Sequence, residues 1–68
     1  MLRLRVKEVA QQKGFNMSSL SRASGISFRT IKRYFRDPYF HASLDTLYKI
    51  ARAMNVPTSD LFEEVPDE

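Results

Sequence analysis

The chain has 68 residues, a net charge of +3, an apolar share of 43% and no cysteine. That length suits one domain and leaves no room for a catalytic cleft beside a second module, while the apolar share is that of a globular chain rather than a disordered one. Without cysteine there is neither a disulfide framework nor a thiolate for zinc or nucleophilic chemistry, and a reducing, cytoplasmic setting is expected.

The first helix is predicted from about Arg3 to Lys13, where Val6, Val9 and Ala10 keep the i, i+3, i+4 rhythm and Gly14 closes it as a C′ glycine. The same amino-terminal segment, MLRLRVKEVAQQK, is too charged for a signal peptide, and no apolar run in the chain approaches a membrane span. Asn16 is a good N-cap for a second helix, Met17 to Ser24, which buries Leu20 beside the small Ser21 and Ser24. Gly25 supplies the positive φ needed to leave it, and Ser27 caps a third helix, Phe28 to Arg36. Asp37-Pro38 ends that helix, because proline disfavours helical geometry in the residue before it, and a loop runs to Ala42.

Ser43 caps a fourth helix, Leu44 to Met54, with Asp45 at its positive end and Leu44, Leu47, Ile50, Ala51 and Met54 as its apolar stripe. Asn55 reads as a left-handed C-cap, and Pro57 permits a short fifth helix to about Glu63 that buries Leu61. The expected class is therefore all-α, with no strand. A domain over residues 1–63 is followed by an acidic tail, 64–68, that frays.

Charge is unevenly distributed. Residues 1–36 hold nine cations against the single anion Glu8, or +8, and residues 37–68 hold two cations against seven anions, or −5. Such a dipole suits a polyanionic partner for the first half and a solvated or protein-facing second half. The third helix concentrates the effect. At about 100° per residue, Arg29, Lys32, Arg33 and Arg36 fall within an arc of roughly 100°, opposite Ile31, Tyr34 and Phe35. A helix apolar behind and cationic in front is suited to a DNA major groove, about 12 Å wide.

Residues 17–36, MSSLSRASGISFRTIKRYFR, resemble the helix-turn-helix unit of the Cro and phage-repressor-like (Cro/CI, Xre-type) family. That pattern wants a small residue, a glycine four later and a β-branched residue six after that; here these are Ser21, Gly25 and Ile31, with Leu20 and Ile26 at the core positions beside them. The likeness extends over about residues 5–62: RVKEVAQQKGF is similar to the family's first helix, LDTLYKIARAMNV to its fourth and PTSDLFE to its short fifth. Three departures stand out: Met17 where glutamine often opens the second helix, Ser21 where alanine is more usual, and Phe35-Arg36-Asp37, before the loop Pro38-Tyr39-Phe40, where the family often has an acid, a polar residue and glycine.

The resemblance implies a compact five-helix, lambda-repressor-like domain that regulates transcription by binding double-stranded DNA, as a homodimer on a palindromic operator, in a prokaryotic or phage-type cytoplasm beside the nucleoid. It makes Phe28, Arg29 and Arg33 the base readers, with a half-buried core residue as the other reading of Phe28. Lys32 and Arg36 are phosphate contacts, joined by Asn16, Ser18, Ser27 and Thr30 near helix amino termini. Arg3 and Arg5 add general attraction, as Lys13 could, although surface solvation is the preferred account of Lys13. In the resembled family the last helices commonly supply the dimer contact. Tyr39 and Phe40 are expected to cover the core, with a dimer or phosphate contact as the other readings.

The alternative function is an antitoxin-like or co-regulator module that engages a protein through the acidic second half. An enzyme is not expected: no Ser-His-Asp order, paired carboxylate, phosphate-cradling glycine loop or metal-ligand spacing occurs, and no cofactor is implied.

Overall fold

A computed structural model describes residues 1–67. Its elements are β1 (Leu2–Leu4), α1 (Val6–Gln12), α2 (Met17–Ser24), α3 (Phe28–Arg36), α4 (Leu44–Met54), a single 3-10 turn (Thr58–Leu61) and β2 (Phe62–Glu64). Helices two to four fall where the sequence puts them, with Asn16, Ser27 and Ser43 accepting at their N-caps and Gly25 and Asn55 left-handed at φ 74° and 59°.

Three expectations are corrected. The first helix starts at Val6, not Arg3, because Leu2–Leu4 is extended and pairs antiparallel with Phe62–Glu64. Leu4 turns into the core while Arg3, on the opposite face, meets Glu63 across the ladder. The fifth helix is only one 3-10 turn, since Phe62 already has strand geometry (φ −151°, ψ 159°) and leaves four residues after Pro57. The fold is thus four helices with a small two-stranded sheet. The chain end does not detach at Glu64, which pairs with Leu2. The Val65 N–H then donates to the Met1 carbonyl at 2.8 Å, and Asp67 meets the Met1 ammonium at 2.7 Å. Of the tail, Glu68 lies outside the described residues.

One core takes side chains from every element but β2. Leu4, Val6, Val9, Ala10, Leu20, Ile31, Tyr34, Leu47, Ile50, Ala51, Met54 and Leu61 are buried together. Two backbone bonds fasten β1 to its surroundings, from Leu4 N–H to the Pro38 carbonyl at 2.6 Å and from Arg5 N–H to the Leu61 carbonyl at 2.7 Å. Burial of Ile31 and Tyr34 fixes the roll of α3 about its axis, which decides what its other face presents.

Candidate nucleic-acid interface

The interface begins at the turn between α2 and α3. Gly25, at φ 74°, donates its N–H to the Ser21 carbonyl and reverses the chain; no neighbouring atom lies within 4 Å of where a Cβ would stand, so glycine is there for its backbone and not for space. Two α2 hydroxyls hold the residue after it. Ser21 Oγ donates to the Ile26 carbonyl at 2.6 Å, and Ser24 Oγ accepts from the Ile26 N–H at 3.2 Å while donating to the Leu20 carbonyl at 2.7 Å. Both backbone polar groups of Ile26 are therefore satisfied by α2 side chains. The sequence marks position 21 only as one that wants a small side chain; the hydroxyl's part in the turn is signalled by a serine standing where alanine is more usual.

Ser27 then starts α3, accepting from the Thr30 N–H at 3.3 Å and sharing a 3.0 Å hydroxyl–hydroxyl bond with Thr30. Beyond it Arg29, Lys32, Arg33 and Arg36 are all exposed. Among the described residues none of the four forms an ion pair. Phe28, at the first position of the helix, is 45% exposed, which makes it an accessible apolar group at the edge of the basic arc rather than a core residue. Phe28, the four cations and Asp37 line one shallow open trough along the helix.

Arg33 differs from the other three cations. Its guanidinium carbon lies 4.4 Å from the centroid of the Phe40 ring, and that ring in turn meets the buried Tyr34 at 5.8 Å and 48°. Phe40 thus covers the core on one side and carries a cation on the other, a contact worth about 0.5–1 kcal/mol at an exposed site. Nothing in the sequence singled out this positioning role. Tyr39, expected with Phe40 to cover the core, is 52% exposed instead.

The remaining site candidates are less uniform. Asn16 and Ser19 form a reciprocal capping box, with Asn16 Oδ1 accepting from the Ser19 N–H at 2.8 Å and Ser19 Oγ accepting from the Asn16 N–H at 2.9 Å. The Asn16 carboxamide oxygen is therefore occupied, and its NH₂ group has no partner among the described residues. Ser18 is exposed at the start of α2, while Thr30 is half-buried. Ser27 and Thr30 spend their hydroxyls on the α3 cap.

Arg3, expected to add to the general attraction for an anion, is neutralised. It bonds Glu8 at 2.8 Å and Glu63 at 2.9 Å, and these hydrogen bonds, first to Glu8 and then to Glu63, hold its guanidinium above the ordinary arginine value. Partial burial alone would raise the Glu8 carboxyl; hydrogen bonds from its own backbone N–H and from Arg3, with the charges of Arg3 and Arg5, outweigh it and keep Glu8 below the usual carboxylate range. In the acidic half, Asp45 is also paired, with Lys49 at 3.2 Å. No group of three His, Asp or Glu side chains stands at metal-binding geometry among the described residues, and no helix there is long and apolar enough to cross a membrane.

Comparison with known proteins agrees with this geometry. The crystal structure described as "a putative DNA-binding protein from Bacteroides fragilis" superposes with a TM-score of 0.80 at 32% identity, over 93% of this chain and 100% of that one. No match was found among curated proteins. The helix-turn-helix family profile matches residues 6–61, from the first residue of α1 to the end of the 3-10 turn. With the matched span covering α2, the glycine turn and the basic face of α3, this chain belongs to the helix-turn-helix family.

Proposed function

We propose that the protein is a transcriptional regulator that binds double-stranded DNA sequence-specifically, with α3 in the major groove. The observation that carries this reading is the outer face of α3, where four exposed cations stand without an ion pair among the described residues, on a helix whose opposite side is locked into the core. The Arg29 guanidinium grips guanine O6 and N7 near the amino end of the helix, a pairing worth about 1–3 kcal/mol of discrimination. Arg33 reads one turn further on, aimed by Phe40. Phe28 lays its ring against a thymine methyl.

Lys32 and Arg36 take phosphates, as does the free NH₂ of Asn16, with Ser18 and the backbone N–H groups at the α2 and α3 amino termini. For Ser27 and Thr30 the backbone serves better than the hydroxyls, which already bond each other.

One domain of this size reads too few base pairs for an operator, so the protein acts as a homodimer on an inverted repeat whose half-sites lie about 34–36 Å apart. Selection from random duplexes tests this. An enriched inverted repeat with that spacing supports the reading; enrichment of nothing over non-specific competitor at low salt contradicts it.

A further inference from the structure

We infer that a second copy of this chain seats on an apolar groove formed by β1, the loop after α3 and the start of α4. The groove is lined mainly by apolar and aromatic side chains, among them Met1, Leu2, Tyr39, Phe40 and Leu44, with His41 as its one imidazole. Four of these side chains are far from buried: Leu44 is 72% exposed, Leu2 60%, Met1 53% and Tyr39 52%. At roughly 200 Å² for a large side chain they leave about 450 Å² of adjoining apolar surface in water. That is the size of the largest apolar patch on a typical monomer, which is often functional. It is also the apolar core needed by a standard interface, which takes about 800 Å² from each partner and is a little over half non-polar.

Charge decides the occupant. A two-fold axis sets a surface against itself, so a rim of one sign repels its own copy. Here most of the nearby charges are cancelled within the chain, the exposed Glu64 opposite Leu2 being the exception. The Met1 ammonium is paired with Asp67 at 2.7 Å, and on α4 Lys49 is paired with Asp45 at 3.2 Å. A strongly charged peptide finds little complement on such a rim, whereas a second copy meets no repulsion beyond that of Glu64. The basic face of α3 is unsuited to self-association for the opposite reason, since four exposed cations would face four.

The groove is also continuous with the proposed DNA-reading face. Phe40 lines it and holds the Arg33 guanidinium 4.4 Å from its ring. Covering the groove immobilises the loop and, through Phe40, the cation at the edge of α3. Self-association and the aiming of Arg33 thus share one side chain. This deepens the homodimeric reading above and rests on it for the DNA arm of the test.

The test uses Leu44→Glu and, independently, Leu2→Glu, both at exposed positions, with circular dichroism and thermal melting to verify the fold. Sedimentation equilibrium without DNA reads the mass from low to high micromolar concentration. The wild type is expected to dimerise, and each variant to dimerise about 100-fold more weakly or not at all, because the new carboxylate would be buried unpaired. On DNA, the variants are expected to match the wild type on a single half-site and to lose about 100-fold on the two-half-site duplex, where linkage raises affinity. A monomeric wild type throughout the range, as a different partner for the groove would require, overturns the inference. So does a folded Leu44→Glu that dimerises as well as the wild type. If the masses behave as expected but neither protein binds DNA at low salt, the DNA reading fails and the groove assignment stands.

Discussion

Replacing Ser21 with alanine sets two effects of known sign against each other. The substitution removes the 2.6 Å bond from Ser21 Oγ to the Ile26 carbonyl, at half-buried residues where water replaces the lost donor only in part. A net intramolecular hydrogen bond is worth about 1 kcal/mol, and a carbonyl left short of a partner costs about 1–3 kcal/mol. We take about 1.5 kcal/mol for this partly wet site. Alanine is the better helix former by about 0.5 kcal/mol, which offsets a third of that loss. The net expectation is about 1 kcal/mol of destabilisation, or a melting temperature lower by about 4–8 °C in a domain of this size.

Thermal and urea unfolding followed by circular dichroism measure it, with the urea slope unchanged if only stability moves. Ser24→Ala removes the acceptor for the Ile26 N–H, and the double variant is expected to depart from additivity by at least about 0.5 kcal/mol because both hydroxyls hold one residue. A Ser21→Ala protein as stable as the wild type, or more so, would refute the argument: helix propensity would then outweigh the hydroxyl, and Ser21 would be only a small residue at a helix crossing.

Gly25→Ala is expected to cost about 1–2 kcal/mol in urea unfolding from left-handed strain alone, because a Cβ there meets no atom within 4 Å. Glu8 is held below the usual carboxylate range when folded, so its contribution to stability is present above about pH 4.3 and is lost as the pH falls through the lower folded value. Melting temperatures measured across the acid range should show that loss, and Arg3→Gln should flatten it. Lys32→Ala should weaken binding to every duplex alike and reduce the log–log salt slope by about 0.9 for the lost phosphate contact, read by fluorescence anisotropy over a salt series.

The helices were legible because caps and periodicity agreed on them. Asn16, Ser27 and Ser43 each precede an apolar rhythm, and each accepts the expected backbone N–H. The sheet was also written in the chain, as the alternation Leu2-Arg3-Leu4-Arg5-Val6, but a three-residue strand has too short a pattern to compete with the helical spacing of Val6, Val9 and Ala10. Its partner, sixty residues away, could not be inferred from local signals at all.

The same limit applies to the site. The cationic arc of α3 follows from helical geometry alone. The hold of Phe40 on Arg33 depends on how the loop after Asp37 folds back, and the neutralisation of Arg3 depends on Glu63 arriving from the far end of the chain.

The most direct measurement is the base preference of Arg29→Ala set beside that of the wild type, each obtained by selection from random duplexes at one salt concentration. If α3 reads the major groove through Arg29, preference relaxes at a single position of each half-site, by about 1–3 kcal/mol, while the other positions keep their ranking. Identical preference profiles for the two proteins would contradict it, because Arg29 would then stand on the exposed face of α3 without touching a base.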